Sequence, residues 1–140
     1  MDGPTTPWRM PAEWTPHERT WMAWPSNGYT LGDTPAEIDS ARSTWAAVAR
    51  AVARFEPVTM VVAPSDIHRC REYLRNDTAH PIDIVIADLD DAWMRDIGPS
   101  FVLAPDGELG AVDWIFNGWG AQEWATWDLD ARIAAQVADA

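Results

Sequence analysis

An α/β fold follows from three features of this 140-residue chain. Two continuous apolar runs, Val58 to Ala63 and Ile82 to Ala87, read as buried strands. Segments of helical spacing precede and separate them. An extended stretch from Thr20 to Trp24, stopped by Pro25, opens the series. The order strand, helix, strand, helix, strand defines the class. The length suits one domain or part of one.

Taken in order, residues 1–9 contain Gly3, Pro4 and Pro7 and read as a loose arm. Pro11 and Pro16 keep the following stretch extended or turning. After the first strand, Ser26 to Gly32 is a loop with Asn27-Gly28 as its turn signal. Thr34 is an N-cap, Pro35 suits the first helical position, and Glu37 completes a capping box. Ile38, Ala41, Trp45, Val48, Val52 and Phe55 recur at helical spacing, and Pro57 ends that helix at Glu56. Trp45 on this stripe reads as core rather than as a ligand contact.

Ser65 is placed to cap a second helix from Asp66 to about Leu74, with Ile67, Cys70 and Leu74 facing inward. Cys70 then reads as a small buried hydrophobe rather than a reactive thiol. His68 and Glu72 form a surface pair on the outer face. Asn76 to Pro81 turns into the Ile82 strand. Strands Phe101 to Ala104 and Gly110 to Phe116 flank Pro105-Asp106-Gly107, a hairpin signal. Asn117-Gly118-Trp119-Gly120 is a further loop, and Asp128 caps a third helix through Ile133 and Val137. Asp139 beside a terminal carboxylate is an awkward helix ending, which reads as a chain cut short.

Composition narrows the partners. Net charge is −12 and every basic residue other than histidine is arginine. That balance argues against nucleic acid and anionic membrane and is compatible with a cationic substrate. Ten tryptophans are far more than usual and either fill a core or line a binding surface. The single cysteine excludes an internal disulfide. With no leader-like opening and no apolar run of membrane length, a soluble cytoplasmic protein is the default expectation.

The chemistry concentrates in Asp90-Asp91-Ala92-Trp93-Met94-Arg95-Asp96-Ile97-Gly98-Pro99, directly after the second apolar run. Loops at strand ends are where α/β folds place reactive groups. A solvated acidic turn accounts for Asp90 and Asp91 but not for Trp93 and Arg95 beside them. The loop is expected at the C-terminal end of the Ile82 strand, with Trp93 and Asp96 on one concave side.

This decapeptide resembles the signature of the agmatine deiminase and bacterial-type peptidylarginine deiminase family. Met10-Pro11-Ala12-Glu13-Trp14-Thr15-Pro16-His17-Glu18 is similar to its opening. Trp21-Met22-Ala23-Trp24-Pro25 and Asp113-Trp114-Ile115-Phe116-Asn117-Gly118-Trp119-Gly120 are similar to two further segments. The resemblance implies the first part of a pentein, a fivefold pseudosymmetric α/β-propeller of ββαβ modules: the first module and part of the second. It implies one truncated N-terminal portion of a single domain over residues 1–140. The implied reaction of the complete protein converts agmatine and water to N-carbamoylputrescine and ammonia, in putrescine and polyamine synthesis. A peptidylarginine or other guanidino compound is the alternative substrate. The family's nucleophilic cysteine and proton-transferring histidine match no residue here, so these residues alone are expected to be inactive.

By the same resemblance, Asp96 is the carboxylate that holds the guanidinium, with Trp93 walling the pocket and stacking on the cation. Trp119 would line that pocket and Asn117 would orient it. Asp90, Asp91 and Arg95 would support the loop, Arg95 either by bracing Asp90 or Asp91 or by touching substrate. From spacing alone Asp96 reads as a structural turn residue. No cofactor and no metal are expected. Asp83, Asp88, Asp90, Asp91 and Asp96 cluster, but a calcium loop counted from Asp88 puts Trp93 and Pro99 where glycine and glutamate are required. Rival readings are a carbohydrate-binding module, marked by coplanar exposed indoles, and an inactive remnant. In the deiminase reading the indoles are mostly buried or converge on one pocket. A homo-oligomer of the complete protein is compatible with the sequence but not readable from it.

Overall fold

A computed structural model describes residues 7–75 and 77–140. Most of the arm expected at residues 1–9, and Asn76, lie outside the described residues. Arg9, however, is not loose. Its amide donates to the Leu103 carbonyl (3.0 Å) and its carbonyl accepts from the Leu103 amide (2.8 Å).

Three parallel strands form the main sheet in the order β1 (Thr20–Ala23), β2 (Val58–Val62), β3 (Ile82–Ile86). Met22 faces Met60, and Met60 faces Ile84. Parallel neighbours need crossovers, supplied here by α1 (Pro35–Val52) and α2 (Ile67–Leu74). The capping box at the start of α1 is present as expected. Glu37 N–H donates to Thr34 Oγ1 (3.3 Å), and Glu37 Oε2 accepts from the Thr34 amide (2.9 Å). The Thr34 hydroxyl and amide hold the Glu37 carboxyl below its ordinary pKa.

The period-2 alternation of β1 and β2 sorts side chains onto two faces. On one face Trp24, Val58, Met60 and Val62 pack against Ala46, Ala49 and Ala53 of the α1 segment and Cys70 and Leu74 of α2. On the other, Ala23 and Val61 join Ala87, Leu89, Ile97, Ile133 and Val137. β2 is buried throughout, as its apolar run predicts. β3 corrects the sequence reading: it is an edge strand, and Ile86 is 59% exposed.

Other corrections concern ends and faces. The first helix stops at Val52, not Glu56, and Val48 and Phe55 of its expected inner stripe are exposed. Small residues replace them: Ala46 and Ala49 let the helix approach the sheet, and Arg42 is buried with them. Arg42 Nη2 pairs with the buried Asp66 at 3.0 Å, and Trp24 Nε1 donates to the same carboxylate at 2.8 Å. This ties β1, α1 and the start of α2 together. Ser65 does not cap α2; Pro64–Asp66 forms a 3₁₀ turn that leads into it. Cys70 is buried, and burial, then the nearby Asp66 charge, pushes its thiol up to about 12. His68 and Glu72 do form the exposed i,i+4 pair (3.4 Å).

The rest of the chain is built from short pieces. The signature segment contains one helical turn, α3 (Met94–Ile97). An antiparallel hairpin follows, β4 (Ser100–Leu103) and β5 (Leu109–Val112). Gly107 sits in its turn at φ 90°, as Asp106-Gly107 predicts. β5 ends at Val112 rather than Phe116, leaving Ile115 98% exposed. Asp128 does not start the last helix. A 3₁₀ turn, Asp130–Arg132, leads into Ile133–Ala138, whose Ile133, Ala134 and Val137 are buried. Among the described residues no helix is long and apolar enough to cross a membrane.

Candidate active site

The signature loop leaves the C-terminal end of β3, as expected. Ala87 N–H donates to Val62 O at 3.1 Å, Leu89 is buried, and the chain emerges at Asp90. Two elements hold it there. From the first loop, Asn27 Nδ2 donates to Leu89 O (3.3 Å), and Gly28 closes against the loop so tightly that a Cβ would lie 2.3 Å from Asp90 O. With φ at 83°, Gly28 is needed for both conformation and space.

The second anchor is reciprocal. Asp130 Oδ1 accepts from the Asp90 amide (2.8 Å) and Oδ2 from the Asp91 amide (3.0 Å). In return, Asp90 Oδ2 accepts from the amides of Leu129 (2.8 Å) and Asp130 (3.3 Å). Asp130 is 1% exposed. Burial raises its carboxyl to about 7 against the lowering effect of the Asp90 amide, and the Asp90 and Asp91 charges push the same way as burial. Asp91, also buried, accepts from the Ala92 amide at 2.8 Å.

Arg95 braces neither Asp90 nor Asp91. Those carboxylates are occupied by backbone amides, and Arg95 instead pairs with Glu13 of the opening segment at 3.1 Å, both side chains largely exposed. Ile97 pins α3 into the second core cluster, while Arg95 and Asp96 of the same turn remain exposed.

Around Asp96 the chain places aromatic rings. Trp119 Nε1 donates to Asp96 Oδ1 at 3.3 Å. Trp119 holds φ 56° and ψ 41°, a left-handed conformation that costs a non-glycine residue about 1–2 kcal/mol. Asn117 supports this turn, its Oδ1 accepting from the Gly120 amide at 2.9 Å. The geometry therefore gives Asn117 a backbone role; it acts on Trp119 through the turn, not through the ring. Gly118, at φ 62°, lies where a Cβ would meet the Trp127 ring at 2.1 Å. Trp119 stacks on Trp124 (5.4 Å between centroids, 24° between planes), and Trp124 meets Tyr29 (5.3 Å). Trp93, 44% exposed, makes a T-shaped contact with Trp45, 5.7 Å between ring centroids. Trp45 thus packs on the core and also touches the signature loop. A groove of about 860 Å³ beside α1 is lined by Tyr29, Trp45 and Trp124, with Asp33 and Glu37 in its wall.

The indoles are not mostly buried. Trp8, Trp14, Trp93, Trp114 and Trp124 are all exposed, and Trp24 alone among the described tryptophans is fully buried. Part of the set gathers near Asp96, whereas Trp114 donates to Ser100 on the hairpin (2.9 Å). Among the described residues, no three histidine, cysteine or acidic side chains are placed to hold a metal ion. Sequence reasoning missed Asp130, Glu13, Tyr29 and Trp124. Asp130, an acid ahead of an apolar helix, carried a capping signal, but nothing local names a partner forty residues away.

Comparison with known proteins gives the family and the fold. The Porphyromonas-type peptidyl-arginine deiminase family matches residues 9–140. A Streptomyces coelicolor protein provisionally named an agmatine deiminase is 60% identical over 94% of this chain and 37% of its own length. The agmatine deiminase of Pseudomonas aeruginosa is 40% identical over 98% of this chain and 38% of its own. The solved agmatine deiminase of Enterococcus faecalis superposes with a TM-score of 0.78 at 34% identity, covering 94% of this chain and 35% of that one. The chain spans little more than a third of the length of these relatives, and its fold is the corresponding portion of their pentein. With the family matched over nearly all of its residues, the chain belongs to the Porphyromonas-type peptidyl-arginine deiminases, of which it represents the N-terminal part.

Proposed function

We propose that these residues supply one wall of a guanidine-deiminating site, with Asp96 as the carboxylate that holds the guanidinium. The observation that carries the reading is the state of Asp96. It is exposed, one oxygen is fixed by the Trp119 indole, and among the described residues no donor meets the other. A planar guanidinium needs a carboxylate of fixed orientation with acceptor capacity to spare. Trp119 meets it through the indole N–H, and Trp93, three residues earlier and exposed, is the cation-stacking wall in this reading. Asp90, Asp91 and Arg95 act on this wall only through the loop that they hold.

Guanidinium hydrolysis in this reading begins with thiolate attack on the guanidinium carbon; ammonia leaves, and water then releases the ureido product. Cys70 cannot be that thiolate: it is buried, and a thiol raised to about 12 is protonated at neutral pH. The nucleophile must come from residues outside these 140, so the chain alone is inactive. The names of the relatives make agmatine the first substrate to test, ahead of peptidyl arginine. A carbohydrate platform fits less well, because Trp119 and Trp124 turn ring faces on each other.

The test places residues 9–140 into the Streptomyces coelicolor relative in place of the matching part. Ureido product is then measured with agmatine. Asp96→Asn sets a donor NH2 against the guanidinium and removes the charge. Turnover should fall on the order of a hundredfold, about 3 kcal/mol. Undiminished turnover would place the guanidinium elsewhere. Product formed by the 140-residue chain alone would overturn the argument from Cys70.

A further inference from the structure

We propose that Asp130 is the positioning residue of the signature loop: its buried carboxylate sets the Asp90–Asp91 backbone and, through one turn of α3, the direction of Asp96. This rests on the reading of Asp96 given above. Four amide-to-carboxylate hydrogen bonds join two segments forty residues apart, each aspartate accepting from the other's backbone. Such reciprocal bonds fix both translation and rotation, because each carboxylate engages two consecutive amides. The loop then has only Ala92 and Trp93 between the clamp and α3, and Ile97 fixes the far end of that helical turn in the core. Asp96 lies on a short span anchored at both ends. Misplacement of a binding carboxylate by about 1 Å can cost a hundredfold in rate.

The clamp is also built without a cation. The charges facing Asp130 are Asp90 and Asp91. Packed against it, α3 carries the exposed Arg95 and Asp96; its own turn carries the exposed Arg132; the last helix, Ile133–Ala138, carries no titratable side chain. No ion pair to Asp130 forms among the described residues. Its charge is therefore balanced only by the two amides, and burial holds its carboxyl near 7. Protonation removes the charge-assisted part of both bonds.

The experiment is an amide NMR titration of the 140-residue chain from pH 5 to 9. The Asp90 and Asp91 amide resonances should move together with one midpoint near 7, and their exchange, corrected for intrinsic rates, should quicken as pH rises toward that midpoint and level off above it. In Asp130→Asn that shared midpoint should vanish and both amides lose protection by roughly tenfold or more. Amides of β2 serve as the control for an intact fold. In Asp96→Asn the titration should be unchanged, so loss of turnover there and loss of the clamp are separable. In the chimeric enzyme Asp130→Asn should lower kcat about tenfold or more while Asp96 is intact. Asp90 and Asp91 amides as well protected in Asp130→Asn as in the wild-type chain would overturn the proposal. So would a chimera with unchanged kcat.

Discussion

The sheet half of the molecule and the half that carries the site are held together by different physics. Between β1 and β3, one face of the sheet closes on alanines of α1, and a buried polar cluster, Arg42–Asp66–Trp24, pairs within it. From Asp88 onward the pieces are three to six residues long. Their positions depend on carboxylates that accept from distant amides, on positive-φ turns and on aromatic edges. Non-directional burial organises the first half; directional hydrogen bonds organise the second. The first should therefore fail by unfolding and the second by losing alignment.

The largest effect expected is in the sheet half. Trp24→Ala removes a fully buried indole and one of the donors to Asp66. It should cost about 3–5 kcal/mol in urea melts of the 140-residue chain. A loss below about 1 kcal/mol would mean that this core collapses around the gap and is less close-packed than its burial implies. Asp96→Asn makes the opposite case. Its activity effect in the chimera is large, yet an exposed side chain with one long hydrogen bond should leave stability within about 0.5 kcal/mol. A stability loss comparable to that of Trp24→Ala would erase the distinction between the halves.

Asp130 is the intermediate case, buried like the core but bonded like the site. Its folded carboxyl, at about 7, lies above the 3.8 of an ordinary aspartate. Between those values the native state binds a proton that the unfolded state has released. Stability from this group is therefore full below about pH 4 and falls as pH rises through 7. The stability of the wild-type chain relative to Asp130→Asn should shrink over that window. Parallel stability curves for the two proteins from pH 4 to 8 would show that Asp130 ionises as it would in water.

What could be read from sequence divides along the same line. β2 and the capping box at Thr34 are local, and both stood where period and cap chemistry put them. The inner stripe of α1 was only partly right: Trp45 and Val52 pack on the core, but Ala46 and Ala49 fill the closest approach to the sheet, whereas Val48 and Phe55 face solvent. Asp96 and Trp93 enter the proposed site only through the motif, since spacing alone makes Asp96 a turn residue. The Asp90–Asp130 clamp and the Glu13–Arg95 pair were illegible because each joins segments with no common local pattern.

The smallest effect tests the residue that the sequence left most open. Arg95 stands next to Asp96, and its guanidinium meets Glu13 at 3.1 Å with both side chains more than three-quarters exposed. Exposed pairs of this kind contribute about 0–1 kcal/mol, and salt screens them further. If Arg95 is only a brace between the opening segment and the loop, Arg95→Ala and Glu13→Ala should each cost less than about 1 kcal/mol. The double variant should then cost no more than either alone. In the chimera, kcat should change by less than about threefold for each variant, and equally. A substrate role predicts a different pattern: Arg95→Ala would lower kcat/KM well beyond Glu13→Ala, and the two effects would not merge in the double variant. That outcome would move Arg95 from the loop's support to the substrate, where its positive charge would have to face something other than a guanidinium.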